Sequence, residues 1–428
     1  MVTPSPRGAV SRAGPATHAV ETSTRDKGSA TAAAAAAAGR STKKNRASST
    51  IRLAFEVWGW VCVLILVYGM YEGLDERRVH MLNVYYQAPV VVTVACVLWA
   101  HNLQVWHRLH LTPSPLVCFG VEHDDSMTFE RIYRLAQASA VALLTSMVLF
   151  LFTYDVDKPF AATSILMITY VLPMVFALWP NKTKGFGQLR AYLRRLIYNC
   201  ATPLARPVGF ADFFFADILC SLAKSMSDLE RVVCSVRHGI ILIHTSTGRC
   251  GDRSWKIPAV LIVPSVIRFL QCLRQYSDTR ETKCLYNALK YMSAFPVIII
   301  SGVRHSIDHD DWTFFWRPLW IGFCVFNTCF SFYWDIKHDW ALSLFGDASR
   351  RAEEKIPFGL RERRLYGAPR VYYRAICLNF AFRIVWTYKL ASHLRHHSAV
   401  LWLVTMAEAT RRFLWSLFRV EVEYLRLH

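Results

Sequence analysis

The chain has 428 residues, 53% of them hydrophobic and 14% aromatic, and carries a formal charge of +19 from 50 Lys and Arg against 31 Asp and Glu. A disordered chain would lack that apolar content, and a collagen-like or disulfide-rich scaffold would need far more Gly or Cys than the 19 and 12 present. The mean hydropathy of +0.22, with apolar runs near the ~20 residues that cross hydrocarbon, points instead to an all-α polytopic membrane protein.

Residues 1–50 are rich in Ser, Thr, Ala, Arg and Lys and include the alanine run 32–38. They are expected to form a disordered, basic, cytosolic tail, too polar to build a core and without the apolar stretch and cleavage context of a signal peptide. Nine Lys or Arg and two acids fall within residues 1–52, so about a third of the net charge sits there. Much of the rest lies between apolar runs, a positive-inside pattern rather than the basic face of a nucleic-acid-binding domain. Nucleic acid is therefore excluded as a partner, and the lipid bilayer is the expected one.

Apolar runs over about 53–72, 84–106, 135–154 and 160–180 predict a four-helix N-terminal membrane region, residues 51–180. Residues 181–209 carry Lys182, Lys184, Arg190, Arg194, Arg195 and Arg206, with Leu189, Tyr192, Leu193, Leu196 and Ile197 at helical spacing. This predicts an amphipathic cytosolic linker helix lying on the membrane. Six further spans are predicted over about 210–236, 256–273, 285–303, 315–334, 372–391 and 399–418. With ten spans the basic connections 181–209 and 335–371 fall on the side of the tail. The opposite loops near 73–83, 155–159 and 304–312 hold few Lys or Arg, so both termini are expected in the cytosol. The first four spans, nearly free of charge, are expected to serve as a scaffold or as a homodimer surface. Trp58, Trp60, Trp99, Trp106, Trp179, Trp316 and Trp320 are expected in interfacial belts. The twelve cysteines form no C-x-x-C pair, so no zinc site and no disulfide framework are expected; Cys250, in a polar segment, is the candidate for luminal oxidation.

The last six spans contain many ionisable groups, which cost several kcal/mol each at membrane depth unless paired or hydrated and so mark a pathway. Asp217, Ser221, Lys224 and Asp228 recur at i, i+4, i+7 and i+11, one helical face. Arg268, Lys290 with Tyr291, Asp335, Arg383 with Trp386, and Glu408 with Arg411 and Arg412 follow. Five cations (Arg268, Lys290, Arg383, Arg411, Arg412) exceed the three carboxylates Asp217, Asp335 and Glu408. Guanidinium forks and an ammonium enclosed together suit a tetrahedral oxyanion, phosphate or sulfate. For single residues a structural reading stands beside this one: Arg411 and Arg412 as snorkelling interfacial groups, Asp335 as a helix cap.

The stretches Phe210-Ala-Asp-Phe-Phe-Phe-Ala-Asp217, Arg268-Phe-Leu-Gln-Cys-Leu-Arg274, Asn287-Ala-Leu-Lys-Tyr291, Phe332-Tyr-Trp-Asp-Ile-Lys-His-Asp-Trp340, Arg383-Ile-Val-Trp386 and Glu408-Ala-Thr-Arg-Arg-Phe-Leu-Trp415 occur in order, followed by Phe418-Arg-Val-Glu421. Together they resemble the successive motifs of the EXS domain, found in phosphate exporters of the xenotropic and polytropic retrovirus receptor type and their plant and fungal relatives. The resemblance covers about 210–424 and implies a six-helix EXS transport domain. It also implies a phosphate pathway at Asp217, Arg268, Lys290, Tyr291, Asp335, Arg383, Trp386, Glu408, Arg411 and Arg412; apart from the resemblance, Ser221, Lys224 and Asp339 are additional pathway candidates read from the residues themselves. Cys220 and Ala223 replace polar residues expected on the first of these helices. Such exporters begin with a long inositol-pyrophosphate-sensing SPX domain, whereas about 50 low-complexity residues precede the first span here. The chain thus resembles the short fungal members of the ER-retention-defective type, which implies a Golgi membrane location.

The first functional expectation is transport: inorganic phosphate left in the Golgi lumen by glycosylation is returned to the cytosol, which supports glycosyltransferase retention. The alternative is a retention adaptor, in which the tail and residues 341–371 (Arg350, Arg351, Lys355, Arg361, Arg363, Arg364) bind Golgi glycosyltransferases or coat proteins. An enzyme is not expected, and no cofactor or metal is implied. His305, His309, His338, His396 and His397 form no ligand motif, and Asp335 with Asp339 suit a helix end better than a metal.

Overall fold

The computed structural model describes residues 54, 56–69, 76–109, 111, 115–121, 129–155, 160–179, 186–238, 250, 254–344, 358–390 and 398–428. The expected tail 1–50, Arg350, Arg351, Lys355, His396 and His397 lie outside them. The chain divides into two units, Met1–Trp60 and Val61–His428. Of the first, Ala54 and the opening residues of the apolar helix α1 (Glu56–Gly69) are described.

Among the described residues every regular element is helical. The first long elements are α2 (Glu76–Arg108), α3 (Phe129–Thr153) and α4 (Phe160–Leu178), followed by the shorter α5 (Gly187–Ala201). Then come α6 (Phe210–Ser221), α7 (Ala223–Arg237), α8 (Lys256–Thr279), α9 (Thr282–Met292) and α10 (Ala294–Val303). The last three are α11 (Arg317–Trp334), α12 (Pro369–Arg383) and α13 (Ser398–Leu427). Among the described residues, five stretches are long and apolar enough to cross a membrane: α2, α3, α4, α8 and the α9–α10 pair.

Several boundaries depart from the hydropathy reading. The expected loop 73–83 is already helical from Glu76, where Arg78 donates to the Leu151 carbonyl at 3.2 Å and so anchors the start of α2 on α3. The expected span 210–236 breaks at Leu222 (φ −93°, ψ 6°), dividing α6 from α7. The next-but-one span breaks at Ser293, because Pro296 has no N–H to offer the Met292 carbonyl, and Ser293 Oγ turns back to the Lys290 carbonyl at 2.6 Å. A single turn of π-helix, Trp312–Trp316, leads into α11, and another, Asp335–Asp339, follows it. Within the linker, α5 buries Leu189 and Leu196 as expected, but also Arg190, whose guanidinium lies over Phe176 at 5.4 Å; Ile197 is exposed.

Two of the tryptophans assigned to interfacial belts are core residues. Trp106 and Trp320 are buried because each indole N–H finds an internal acceptor, Tyr366 Oη at 3.2 Å and Ser301 Oγ at 2.9 Å. Trp179 is exposed. The cysteine reading also changes: Cys234, near the end of α7, and Cys250 form a disulfide, a pairing that spacing alone did not reveal.

Among the early helices, α2 is bonded to the last helix at three levels. Trp402 Nε1 donates to Asn83 Oδ1 at 2.8 Å, Gln87 Nε2 to Thr405 Oγ1 at 3.4 Å, and Asn102 Nδ2 to the Phe413 carbonyl at 3.5 Å. One hydrophobic core joins Tyr85, Tyr86, Phe150 and Leu166 on α2, α3 and α4. Another gathers Phe214, Trp340, Tyr372, Trp415 and Phe418 around the second half of α13. Beside that second core the fully buried Glu421 accepts from Tyr372 Oη at 2.5 Å and from the Leu365 amide at 2.7 Å, and pairs with Arg361. Residues 361–366 are thereby pinned to the final turns of α13.

Candidate functional site

The helices from α6 onward enclose a cavity of about 640 Å³. Its polar wall is built from one to three residues per helix or turn, each placed by local periodicity. Asp217 and Ser221, four apart on α6, face inward with Lys224 of α7. Lys290 and Tyr291 close α9, Asp335 and Asp339 occupy the π-turn after α11, and Arg383 ends α12. Trp386 sits in the 3₁₀ turn that follows, and Glu408, Arg411 and Arg412 share one face of α13. Asp335 and Asp339, four residues apart in the π-turn, both lie on the cavity wall.

Of the thirteen residues singled out from sequence, twelve line this cavity. Arg268 does not. It is fully buried behind Asp217, donating from Nε to Asp217 Oδ1 at 3.0 Å and from Nη1 to Gln271 Oε1 at 2.8 Å, with its guanidinium beneath Tyr291 at 4.7 Å. Arg268 therefore orients Asp217 and does not reach the cavity. The excess of cations is also smaller than the sequence reading had it. Lys224 joins the cations while Asp228 and Asp339 join the acids, so six cations stand against five carboxylates.

The ion pairs show which cations are already engaged. Arg383 grips Asp335 Oδ2 through Nε at 3.1 Å and Nη2 at 2.5 Å, and Asn379 Nδ2 adds a bond to the same oxygen at 3.0 Å. Arg411 forms a two-pronged bond to Glu408, at 2.8 and 2.5 Å. Tyr291 Oη donates to Asp217 Oδ1 at 2.5 Å, and Lys224 pairs with Asp228. Asp339 Oδ2 accepts from Trp415 Nε1 at 3.0 Å.

Two cations remain without a carboxylate. Arg412 donates from Nε to Ser221 Oγ at 2.8 Å and lies over the Trp415 ring at 4.5 Å. Lys290 Nζ rests over the rings of Tyr291 and Trp334, at 4.3 and 5.4 Å. A third donor is Arg411 Nη1, which is buried without a hydrogen bond, its nearest carboxylate oxygen 3.7 Å away on Asp335. The Lys290 ammonium and the Arg412 guanidinium on one cavity wall, neither bonded to a carboxylate, can hold a tetrahedral oxyanion. Trp386 borders the same space, fixed by its N–H to Thr328 Oγ1 at 2.9 Å and edge-on to Trp320 at 5.8 Å.

Four contributors were not foreseen. Asn379 lies four residues before Arg383, so helical spacing could have placed it on the same face; Trp415 likewise lies four after Arg411. Gln271 lies three after Arg268 on α8 and carried the same signal, whereas Thr328 carried none, since its partner Trp386 comes from another element. The Asp335–Asp339 pair is held by Arg383, Asn379 and Trp415, an arrangement unlike a metal pair.

The EXS family model matches residues 82–425, from α2 into the last turn of α13. A xenotropic and polytropic retrovirus receptor 1 homolog from Xenopus laevis is 26% identical over 378 residues, 85% of this chain and 53% of the relative. Solute carrier family 53 member 1 from Mus musculus is 33% identical over 291 residues (62% and 40%), and its Homo sapiens counterpart 32% over 283 (60% and 39%). The chain thus spans about half the length, or less, of these relatives. The family match takes in three of the early helices together with every element that lines the cavity, and the chain belongs to the EXS family.

Proposed function

We propose that the chain carries inorganic phosphate across a membrane through the cavity between α6 and α13. The observation that supports this best is the pair of cavity cations, Lys290 and Arg412, that make no hydrogen bond or ion pair with a carboxylate. Asp217, Asp228, Asp335 and Glu408 hold the remaining cations in place, and with Asp339 they limit how tightly an anion is retained, which a permeation site requires. Arg383, Arg411, Tyr291, Trp386 and Ser221 complete the pathway, with Arg268 acting through Asp217.

The proposed topology has ten spans: α1, α2, α3, α4, α6–α7, α8, α9–α10, α11, α12 with its 3₁₀ extension, and α13. The connection between α7 and α8 then follows five crossings and lies opposite the N-terminus. The Cys234–Cys250 disulfide in that connection suits an oxidising lumen, which supports cytosolic termini. The Golgi setting, with recovery of phosphate released by glycosylation and a consequent effect on glycosyltransferase retention, rests on the resemblance to the short fungal members. A direct retention adaptor gains nothing from Arg361, which is engaged by Glu421.

The test is phosphate flux from liposomes holding the purified protein, beside Arg383→Ala and Arg411→Ala. Flux in the parent that both variants abolish supports the pathway; a parent that moves no phosphate under any gradient overturns it.

A further inference from the structure

Lys224 differs from the other cavity cations in place, exposure and partner. The paired helices fix its level. Asp217 meets Arg268 across α6 and α8, and Ser221 meets Glu408 across α6 and α13. Seven residues on from Asp217, and the same count back from Arg268 on the opposed α8, bring Lys224 level with Leu261. Three residues on from Ser221 and back from Glu408 bring it level with Thr405. Leu261 and Thr405 both line the cavity, as do Pro258, Leu401 and Val404 farther toward the α7–α8 connection. Lys224 therefore stands beyond the break at Leu222, seven residues on from Asp217, where Leu261, Pro258, Leu401 and Val404 make the wall apolar.

Its ammonium is bonded to one carboxylate, a turn away on its own helix. The side chain is 39% exposed while that of Asp228 is 5% exposed, and the two are joined through Asp228 Oδ1 alone. Asp228 Oδ2 is buried without a hydrogen bond, and two of the three ammonium N–H groups have no protein acceptor. The pair lies within a single helix, one turn apart, so Lys224 can leave Asp228 without disturbing any contact between helices.

We propose that Lys224 is an outer anion station, whose ammonium moves between Asp228 and a phosphate passing between the apolar mouth and the belt of Lys290 and Arg412. It lets a hydrated dianion enter the apolar stretch by exchanging one counter-charge for another, while Asp228 recaptures the ammonium and so releases the anion. The inference rests on the transport reading above and deepens it.

The experiment is phosphate flux into proteoliposomes as a function of phosphate concentration, for the parent, Lys224→Met, Lys224→Arg and Asp228→Asn, with thermal unfolding of each purified variant. Lys224→Met is expected to raise KM roughly tenfold or more, the loss of one charge-assisted contact, and Lys224→Arg to stay near the parent. Asp228→Asn is expected to move KM the opposite way, lowering it while also lowering the maximal rate, because the released ammonium then holds the anion. That opposition is what a structural salt bridge cannot produce. Lys224→Met with the parent's KM, or Asp228→Asn raising KM as Lys224→Met does, overturns the station and leaves the transport reading standing. A parent without flux overturns both. Should the Met variant misfold, the sign of the Asp228→Asn shift decides alone.

Discussion

Arg412 and Arg383 stand within one cavity, yet their replacement by Gln is expected to fail in different ways. Arg383 is the main partner of Asp335, a carboxylate almost wholly buried. Arg383→Gln leaves that charge with Asn379 and with an Arg411 nitrogen at 3.7 Å, and stranding one half of a buried pair costs about 3–5 kcal/mol of stability. Arg412 has no carboxylate to strand. Its loss removes a bond to Ser221 and a cation–π contact with Trp415, about 1–2 kcal/mol together, and Ser221 keeps its bond to Glu408. What Arg412→Gln removes instead is a charge-assisted bond to the anion, worth about 1.5–3 kcal/mol, or roughly 10- to 150-fold in KM. The assay pairs thermal unfolding of each purified variant with phosphate flux in proteoliposomes. Arg412→Gln is expected to unfold near the parent's temperature with a much higher KM, and Arg383→Gln to unfold well below it. Equal losses of stability, or an unchanged KM in Arg412→Gln, would refute the division between engaged and available cations.

Three further outcomes follow from other parts of the fold. Glu421→Gln removes the charge that pins Arg361, Tyr372 and the Leu365 amide; unfolding followed by intrinsic fluorescence should show a loss of about 3–5 kcal/mol, although the site lies outside the cavity. Maleimide-polymer labelling of denatured protein should gain two thiols after reduction, a gain that disappears in the Cys234→Ser, Cys250→Ser double variant; that variant should lose about 3 kcal/mol for the opened loop of 16 residues. Gly302→Ala places a Cβ 2.6 Å from Pro258 Cγ, a ring that cannot move aside, so α8 and α10 are forced apart at a cost of about 1–3 kcal/mol; an unchanged unfolding temperature would refute that contact.

Much of this molecule was legible in the chain itself. Charge inside apolar runs is costly enough that each instance draws attention, and the 3.6-residue period assigned Asp217, Ser221 and Lys224, or Glu408, Arg411 and Arg412, to common faces before any neighbour was known. That is why twelve of the thirteen residues named from sequence prove to share one cavity.

Pairing was not legible, because each decisive partner comes from a distant helix. Arg383 meets Asp335 across 48 positions, Arg412 meets Ser221 across 191, and Arg268 spends its fork on Asp217 instead of facing the cavity. Helix breaks at Leu222 and Ser293, the π-turn carrying Asp335 and Asp339, and the bond between Cys234 and Cys250 are likewise tertiary outcomes, since the same residues would fit an unbroken span or a free thiol. The order of residues along the chain marked out which groups would be too costly to leave in hydrocarbon. Only the packed helices decided which of those groups satisfy one another, and that choice leaves Lys290 and Arg412 facing the cavity with no carboxylate of their own.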